Sequence, residues 1–231
     1  QIRSSLGYSW MPAGDVNGDR FDDLIVSAYA YDSATFTNAG RVYFFTGSDT
    51  GLDPSSPDWI IDGEQIDAWL GYSVAGAGDV NGDGYDDVLI GSPGYDLAAP
   101  ETSNVGRAYL YLGSASGLLL TPDWVFTGTQ SGQNVGIKVA GIGDINGDGY
   151  DDIAVSSPGW DGEATNEGVV YAFYGSATGP ALIPDWTAES DQESSSFGYN
   201  LSAAGDVNGD GYADLLVGAD NYDTGTTDEG A

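Results

Sequence analysis

One string constrains this chain more than any other feature. Asp-hydrophobic-Asn-Gly-Asp occurs at Asp15, Asp79, Asp144 and Asp206, with spacings of 64, 65 and 62 residues. Self-similarity at a fixed period marks a repeat architecture, in which each unit buries its apolar face against the next. A unit this long exceeds most helical solenoid repeats and suits a small sheet with its loops. The 36 glycines in 231 residues require frequent turns and argue against a helical bundle.

The rest of the unit recurs in phase. Ahead of each loop stands a Gly-led, partly alternating segment (Gly7-Tyr8-Ser9, Gly71-Tyr72-Ser73, Gly136-Ile137-Lys138, Gly198-Tyr199-Asn200), the pattern of a half-buried strand. After the loop come Leu24 to Val26, Val88 to Ile90, Ile153 to Val155 and Leu215 to Val217, short apolar runs that suit strands buried on both faces. A polar loop leads to Arg41 to Phe45, Arg107 to Tyr111 and Val169 to Phe173, β-branched and aromatic third strands closed by Gly47, Gly113 and Gly175. Pro-Asp-Trp at Pro57, Pro122 and Pro184 marks a fourth strand, with proline tolerated at its first residue.

Each unit therefore reads as a four-stranded antiparallel meander, and radial repetition of such sheets is the β-propeller solution to exposed edges. The fold class is all-β, a β-propeller with about three and a half blades present. The repeats lie at about 6–69, 70–134, 135–196 and 197–231, in one partial domain over 1–231. The last stops at Gly230-Ala231, where its third strand should begin.

The loops carry the chemistry. Counting from the first Asp, oxygen-bearing side chains stand at positions 1, 3, 5 and 9: Asp15, Asn17, Asp19 and Asp23; Asp79, Asn81, Asp83 and Asp87; Asp144, Asn146, Asp148 and Asp152; Asp206, Asn208, Asp210 and Asp214. With the backbone carbonyls of Phe21, Tyr85, Tyr150 and Tyr212 at position 7, such a set wraps a hard cation, and Gly84, Gly149 and Gly211 at position 6 permit the sharp turn. Three carboxylates in nine residues repel one another unless a divalent ion neutralises them, which points to calcium in four sites, one per repeat. Asp, Asn and Gly also make ordinary solvated turns. Four in-phase copies favour the metal reading.

An EF-hand would close with Glu at position 12, where Val26, Ile90, Val155 and Val217 stand, so the loop is a hairpin connection. Position 8 is Asp22, Asp86 and Asp151 but Ala213 in the last copy, so no ligand role is assigned to it. Arg20 replaces Gly at position 6 of the first loop, where a left-handed backbone would cost it about 1 kcal/mol or more.

Composition removes other classes. With 36 acidic and 5 basic side chains the formal charge is −31, which disfavours nucleic acid and anionic membrane surfaces. No apolar run is long enough for membrane insertion as a helix. Absence of His and Cys excludes disulfides, the usual zinc sites and Ser-His or Cys-His nucleophile pairs. The non-repeated acids Glu64, Glu101, Glu163, Glu167, Glu189 and Glu193 show no pairing for acid-base work, so no catalytic residue is assigned and the segment is read as a non-enzyme. Gln1 in place of an initiator methionine suggests a mature or excised segment.

Gly71 to Pro93, reading GYSVAGAGDVNGDGYDDVLIGSP, closely resembles the FG-GAP repeat of integrin α-subunit propellers and of microbial surface proteins. Phe197-Gly198 supplies the "FG", and Gly91-Ser92-Pro93, Ser157-Pro158 and Gly218-Ala219 stand near the "GAP". Leu6, Leu70 and Val135 replace the Phe in three copies. The resemblance implies a seven-bladed ring, calcium in the hairpins between the first two strands, and ligand recognition on the opposite face. The remainder of the ring would come from the same or a neighbouring chain.

The expected function is an extracellular, calcium-stabilised binding or adhesion module at a cell surface, with a protein or glycan ligand. The alternatives are a structural subunit or decoration of a surface filament or layer, and an accessory domain of a secreted enzyme. The loops between strands two and three and between blades vary between copies and are expected to carry recognition. In-phase Trp59, Trp124 and Trp186 and Tyr43, Tyr109 and Tyr171 are read as packing between blades. Trp160 with Asp161 and Glu163 is the better candidate for a surface contact.

Overall fold

The computed structural model describes residues 4–97, 103–223 and 230. The strands are β1 (Leu6–Gly14), β2 (Asp23–Ala28), β3 (Arg41–Phe45), β4 (Trp59–Asp62), β5 (Ser73–Gly78), β6 (Asp87–Ser92), β7 (Arg107–Tyr111) and β8 (Trp124–Thr127). They continue with β9 (Val139–Gly143), β10 (Asp152–Ser157), β11 (Val169–Phe173), β12 (Trp186–Glu189), β13 (Phe197–Gly205) and β14 (Asp214–Ala219). β1 to β4, β5 to β8 and β9 to β12 form three antiparallel meanders in chain order, and β13 pairs with β14 alone. Among the described residues there is no helix, and hence none able to cross a membrane. Of Gly230-Ala231, where the third strand of the last repeat was expected to begin, only Gly230 is among the described residues.

The blades pack face to face, and the core lies between them. Ile25, Val42, Phe44 and Trp59 of the first blade meet Val74, Val88, Ile90 and Tyr109 of the second. Leu89, Ala108, Leu110 and Trp124 of the second meet Val139, Ile153, Val155 and Phe173 of the third. Ala154, Val170 and Ala172 meet Leu201, Leu215 and Val217 of the last. Every residue of β6 and β10 is buried, since both faces of a middle blade are covered, whereas β2 and β14 in the end blades are only partly so. The inner strands β1, β5, β9 and β13 together line a cavity of about 260 Å³, with Ser9, Ser73, Lys138 and Ser202 on its wall. Four strands around one shaft is the arrangement of a partial propeller.

Two kinds of tie bind neighbouring blades at the end away from the β1–β2 hairpins. The segment entering each new blade pairs with the previous one, through parallel bridges between Gly40 and Leu70 and between Gly106 and Val135. A glutamine in each inter-blade segment also clasps the next β2–β3-type loop. Gln65 Nε2 donates to Asp96 O at 2.9 Å while Asp96 N donates back to Gln65 Oε1 at 2.8 Å. Gln130 with Asp161 and Gln192 with Asp223 repeat the clasp. These loops are therefore less variable in role than in sequence. The tips of the Gly94 to Gly106 and Asp220 to Gly230 loops, Glu101 included, lie outside the described residues.

Three expectations need adjustment. The fourth strands begin at Trp59, Trp124 and Trp186, two residues after the prolines, because the intervening Asp caps the hairpin. Asp58 Oδ2 accepts Thr46 N at 2.8 Å, Asp123 Oδ2 accepts Leu112 N at 3.0 Å and Asp185 Oδ2 accepts Tyr174 N at 2.8 Å. Trp59 and Trp124 pack as expected, edge-on to Tyr111 and Phe173, with their indole N–H groups on Leu119 O and Ala181 O of the next blade. Trp186 is 43% exposed, because the last blade has no described strand to cover it. Trp160 is only half-exposed as a surface candidate: it packs on the core between the second and third blades with its Nε1 buried, while Asp161 and Glu163 beside it are exposed.

Candidate metal centre

The four acidic loops are the hairpins joining β1 to β2, β5 to β6, β9 to β10 and β13 to β14, all at one end of the blades. In the first, Asp15 Oδ1 accepts the N–H of Asp19 at 2.9 Å and Oδ2 that of Arg20 at 2.8 Å. Asn17 Oδ1 accepts the same Asp19 N–H at 2.9 Å, and its amide donates to Asp19 Oδ2 at 3.0 Å. Asp19 Oδ1 accepts Phe21 N at 3.0 Å. The bonds from positions 1, 3 and 5 to the backbone recur around Asp79, Asn81 and Asp83, around Asp144, Asn146 and Asp148, and around Asp206, Asn208 and Asp210. Each loop is thus wound around its own polar side chains.

Position 9 has a second task. Asp23, the first residue of β2, is buried, with Oδ2 on Val16 N at 3.0 Å and Oδ1 on Gly47 N at 2.8 Å, so it joins the loop to the end of β3. Asp87 does the same with Val80 and Gly113, and Asp152 with Ile145 and Gly175. In the last blade Asp214 reaches Val207 N at 2.8 Å, and Asn208 donates to Asp214 in place of the position 5 carboxylate. Burial pushes the carboxyls of Asp23 and Asp152 up to about 6 and that of Asp87 to about 7. The backbone N–H bonds oppose that rise, and repulsion from the Asp residues at positions 1 and 5 adds to it.

This donor set suits a hard divalent cation: each loop offers three carboxylates and an amide oxygen, and no nitrogen or sulfur ligand. The electrostatics agree, since the buried carboxylate feels both of its acidic neighbours. Among the described residues no three acidic side chains converge as a closed ion site, and the loop carboxylates are turned onto backbone N–H groups. Position 6 is left-handed throughout, with φ of +90° at Gly84 and Gly149, +94° at Gly211 and +77° at Arg20. The strain expected at Arg20 is therefore present.

Position 8, read from sequence only as a non-ligand, is a tether between blades. Asp86 Oδ2 accepts Asp15 N of the preceding blade at 2.7 Å, and Asp151 Oδ2 accepts Asp79 N at 2.9 Å. Any side chain at Gly14 or Gly78 would collide with these carboxylates. The position 7 rings dock beside it: a Cβ at Gly18 would lie 2.6 Å from Tyr85, at Gly82 2.6 Å from Tyr150, and at Gly147 2.5 Å from Tyr212. The signal available in sequence was acidity at position 8 in three copies with no ligand role to explain it.

The repeat pattern of residues 7–45, 70–111, 136–173 and 197–231 matches that of the FG-GAP repeat. The chain belongs to the FG-GAP repeat family. It is 36% identical over 230 residues to integrin alpha-PS2 of Drosophila melanogaster, covering 95% of this chain and 16% of that protein. It is also 36% identical over 229 residues to integrin alpha-V of Gallus gallus, covering 96% of this chain and 20% of that protein. With integrin alpha-IIb of Mus musculus it shares 41% identity over 161 residues, 68% of this chain and 15% of that protein. The chain thus spans about a fifth or less of the length of these curated relatives. Their similarity and the sheet architecture together define an integrin alpha-like FG-GAP β-propeller.

Proposed function

We propose that this chain is a calcium-stabilised ligand-binding module of a cell-surface adhesion protein, exposed to the extracellular medium and without enzymatic activity. The observation that carries the reading is fourfold: four FG-GAP hairpins present the same all-oxygen donors at one end of a scaffold similar to integrin alpha chains over most of its length. Calcium would be held by Asp15, Asn17, Asp19, the Phe21 carbonyl and Asp23, and by the equivalent residues of the other three loops. When bound, the ion neutralises carboxylates that otherwise repel one another and pins the hairpin to the blade. Sites of micromolar or weaker affinity fill outside the cell and stay empty in the cytosol.

Ligand recognition is assigned to the face opposite the hairpins, where the clasped loops project from a rigid framework. A protein or glycan partner suits this face. Exchanging the whole stretch from Trp160 to Glu167 would be a poor test, because Trp160 and Glu167 are packed and Asp161 clasps Gln130. Exposed tip residues serve better: Ile66, Asp67, Glu163 and Thr165. Replacing them by Gly or Ser should abolish binding to immobilised matrix proteins or glycans while leaving calcium stoichiometry unchanged. Binding that is indifferent both to these changes and to a chelator would overturn the reading.

A further inference from the structure

Two glutamates that stand outside the repeat pattern meet in the third blade, at the end away from the hairpins. The loop before each third strand is built alike: an opening Asp accepts the N–H of a left-handed Asn, through Asp32 and Asn38, Asp96 and Asn104, and Asp161 and Asn166. The next residue is turned into the blade. It is Ala39 in the first blade and Val105 in the second, both fully buried, but Glu167 in the third, 2% exposed. Its backbone is fixed there, since Glu167 O accepts Phe197 N at 3.2 Å and Ser195 Oγ at 2.8 Å. Its Oε2 accepts Ala164 N at 3.2 Å, whereas Oε1 is buried with no hydrogen-bond partner.

That oxygen points at a second carboxylate. A Cβ at Gly162 would collide with Glu167 Oε1 and lie 3.2 Å from Glu189 Oε2, so the two side chains flank one point beside Gly162. In the first blade the place of Glu189 is taken by Asp62, paired in register with Arg41, whose guanidinium forms an ion pair with it. In the second, Arg107 Nε donates to Thr127 Oγ1 at 2.9 Å. The third blade keeps the acid and loses the base, because Val169 stands opposite Glu189. Among the described residues no basic side chain makes an ion pair with either glutamate. Glu167 Oε1 is already enclosed, so chain added beyond either end of this sequence would pack over it without supplying a donor. Access lies on the side of Glu189, which is exposed; the corresponding Asp62 keeps 33% of its side chain in solvent with the second blade packed beside it.

We propose that Glu167 and Glu189 hold a divalent cation beside Gly162, a site separate from the four hairpins and at the opposite end of the blade. Two carboxylates facing one point repel each other unless a cation stands between them, and a buried carboxylate without a partner is costly. Oxygen donors alone select a hard ion. The enclosed Oε1 suits a small ion better than an ammonium or guanidinium group. With two carboxylates and water completing the shell, the site is weaker than a hairpin with three, in the range of about 0.1 to 1 mM. The ion does in the third blade what the Arg41 guanidinium does in the first.

The test is equilibrium dialysis of the 231-residue chain against calcium, from micromolar to several millimolar, at about 0.15 M salt to screen diffuse binding. Wild type should bind one more equivalent than Glu167→Gln, and that equivalent should be the last to fill. Glu167→Val, which copies Val105 of the second blade, should lose the same equivalent with an unchanged circular dichroism spectrum. Glu189→Gln should weaken the last site about tenfold. Glu163→Gln removes an exposed acid of the same loop with the same change in charge, and should bind as wild type does. In a chelator Glu167→Gln should melt no lower than wild type, because it removes an uncompensated buried charge. Equal counts in wild type and both Glu167 variants would overturn the proposal, as would a loss in Glu163→Gln matching that in Glu167→Gln. Failure of the hairpin reading looks different: wild type would then bind this one ion and Glu167→Gln none.

Discussion

The carboxylate of Asp86 in the second blade accepts the backbone N–H of Asp15 in the first at 2.7 Å, across 71 residues of sequence. The two hairpins are thereby coupled: the residue that opens one loop is positioned by the loop of the next blade. Removing the carboxylate leaves a partly buried N–H without its acceptor, a loss of about 1 to 3 kcal/mol. Asp86→Ala is therefore expected to lower stability by that amount in urea unfolding while the bound calcium count stays the same. Asp83→Ala, by contrast, should remove one equivalent of calcium. A lost equivalent in D86A would show that position 8 is a ligand after all.

The last junction lacks this tether, because Ala213 stands at position 8 and only its N–H reaches Asp144 O, at 3.3 Å. Gly143 is left-handed like Gly14 and Gly78, so room for the carboxylate is already provided. Ala213→Asp should supply the missing acceptor to Asp144 N and raise stability by about 1 kcal/mol. An unchanged or lowered unfolding midpoint would mean that the tether is not transferable to this junction.

Arg20 has φ of +77° at the place where the other three loops use glycine. Its side chain is exposed, so little packing offsets the strain. Arg20→Gly should release about 1 kcal/mol at that residue. Glycine also adds freedom to the unfolded chain, which reduces the net gain. The change is expected to tighten calcium binding at the first loop more than it alters overall stability, a difference that calorimetric titration can read.

Most of the fold was legible because the unit repeats: a period of 62 to 65 residues, carried by four loops and the four apolar strands that follow them, leaves few architectures open. The loop ligands were legible for the same reason. The contacts between blades were not, since the bond from Asp15 N to the Asp86 carboxylate has a backbone donor and leaves no pattern at its donating end except Gly14, one glycine among 36. Trp160 misled in part, because an aromatic beside Asp161 and Glu163 resembles a binding patch, although it packs on the core as Tyr31 and Tyr95 pack on Arg41 and Arg107. In the third blade Val169 replaces that arginine, and the larger indole turns inward.

The buried carboxyls at position 9 set the pH dependence. Burial holds Asp23 and Asp152 at about 6 and Asp87 at about 7, well above the ordinary value of 3.8. The native protein therefore binds protons that the unfolded chain has already released, and stability must fall as pH rises through that window. The stabilisation is fully present below about pH 4 and lost by about pH 7, and general repulsion in a chain of formal charge −31 acts in the same direction. In a chelator the melting temperature should thus decline between these limits and level off above them. Calcium reverses the slope, because it binds the ionised carboxylates and four sites filled about a hundredfold above their dissociation constants contribute on the order of 10 kcal/mol. The two profiles should diverge steadily from mildly acidic to neutral pH. Asp87→Asn should flatten the chelator profile, and it should also cost stability, because one amide oxygen cannot accept both Val80 N and Gly113 N as the carboxylate does. A chelator profile that rises with pH, or one that coincides with the calcium profile, would mean that these carboxyls are neither raised by burial nor relieved by an ion.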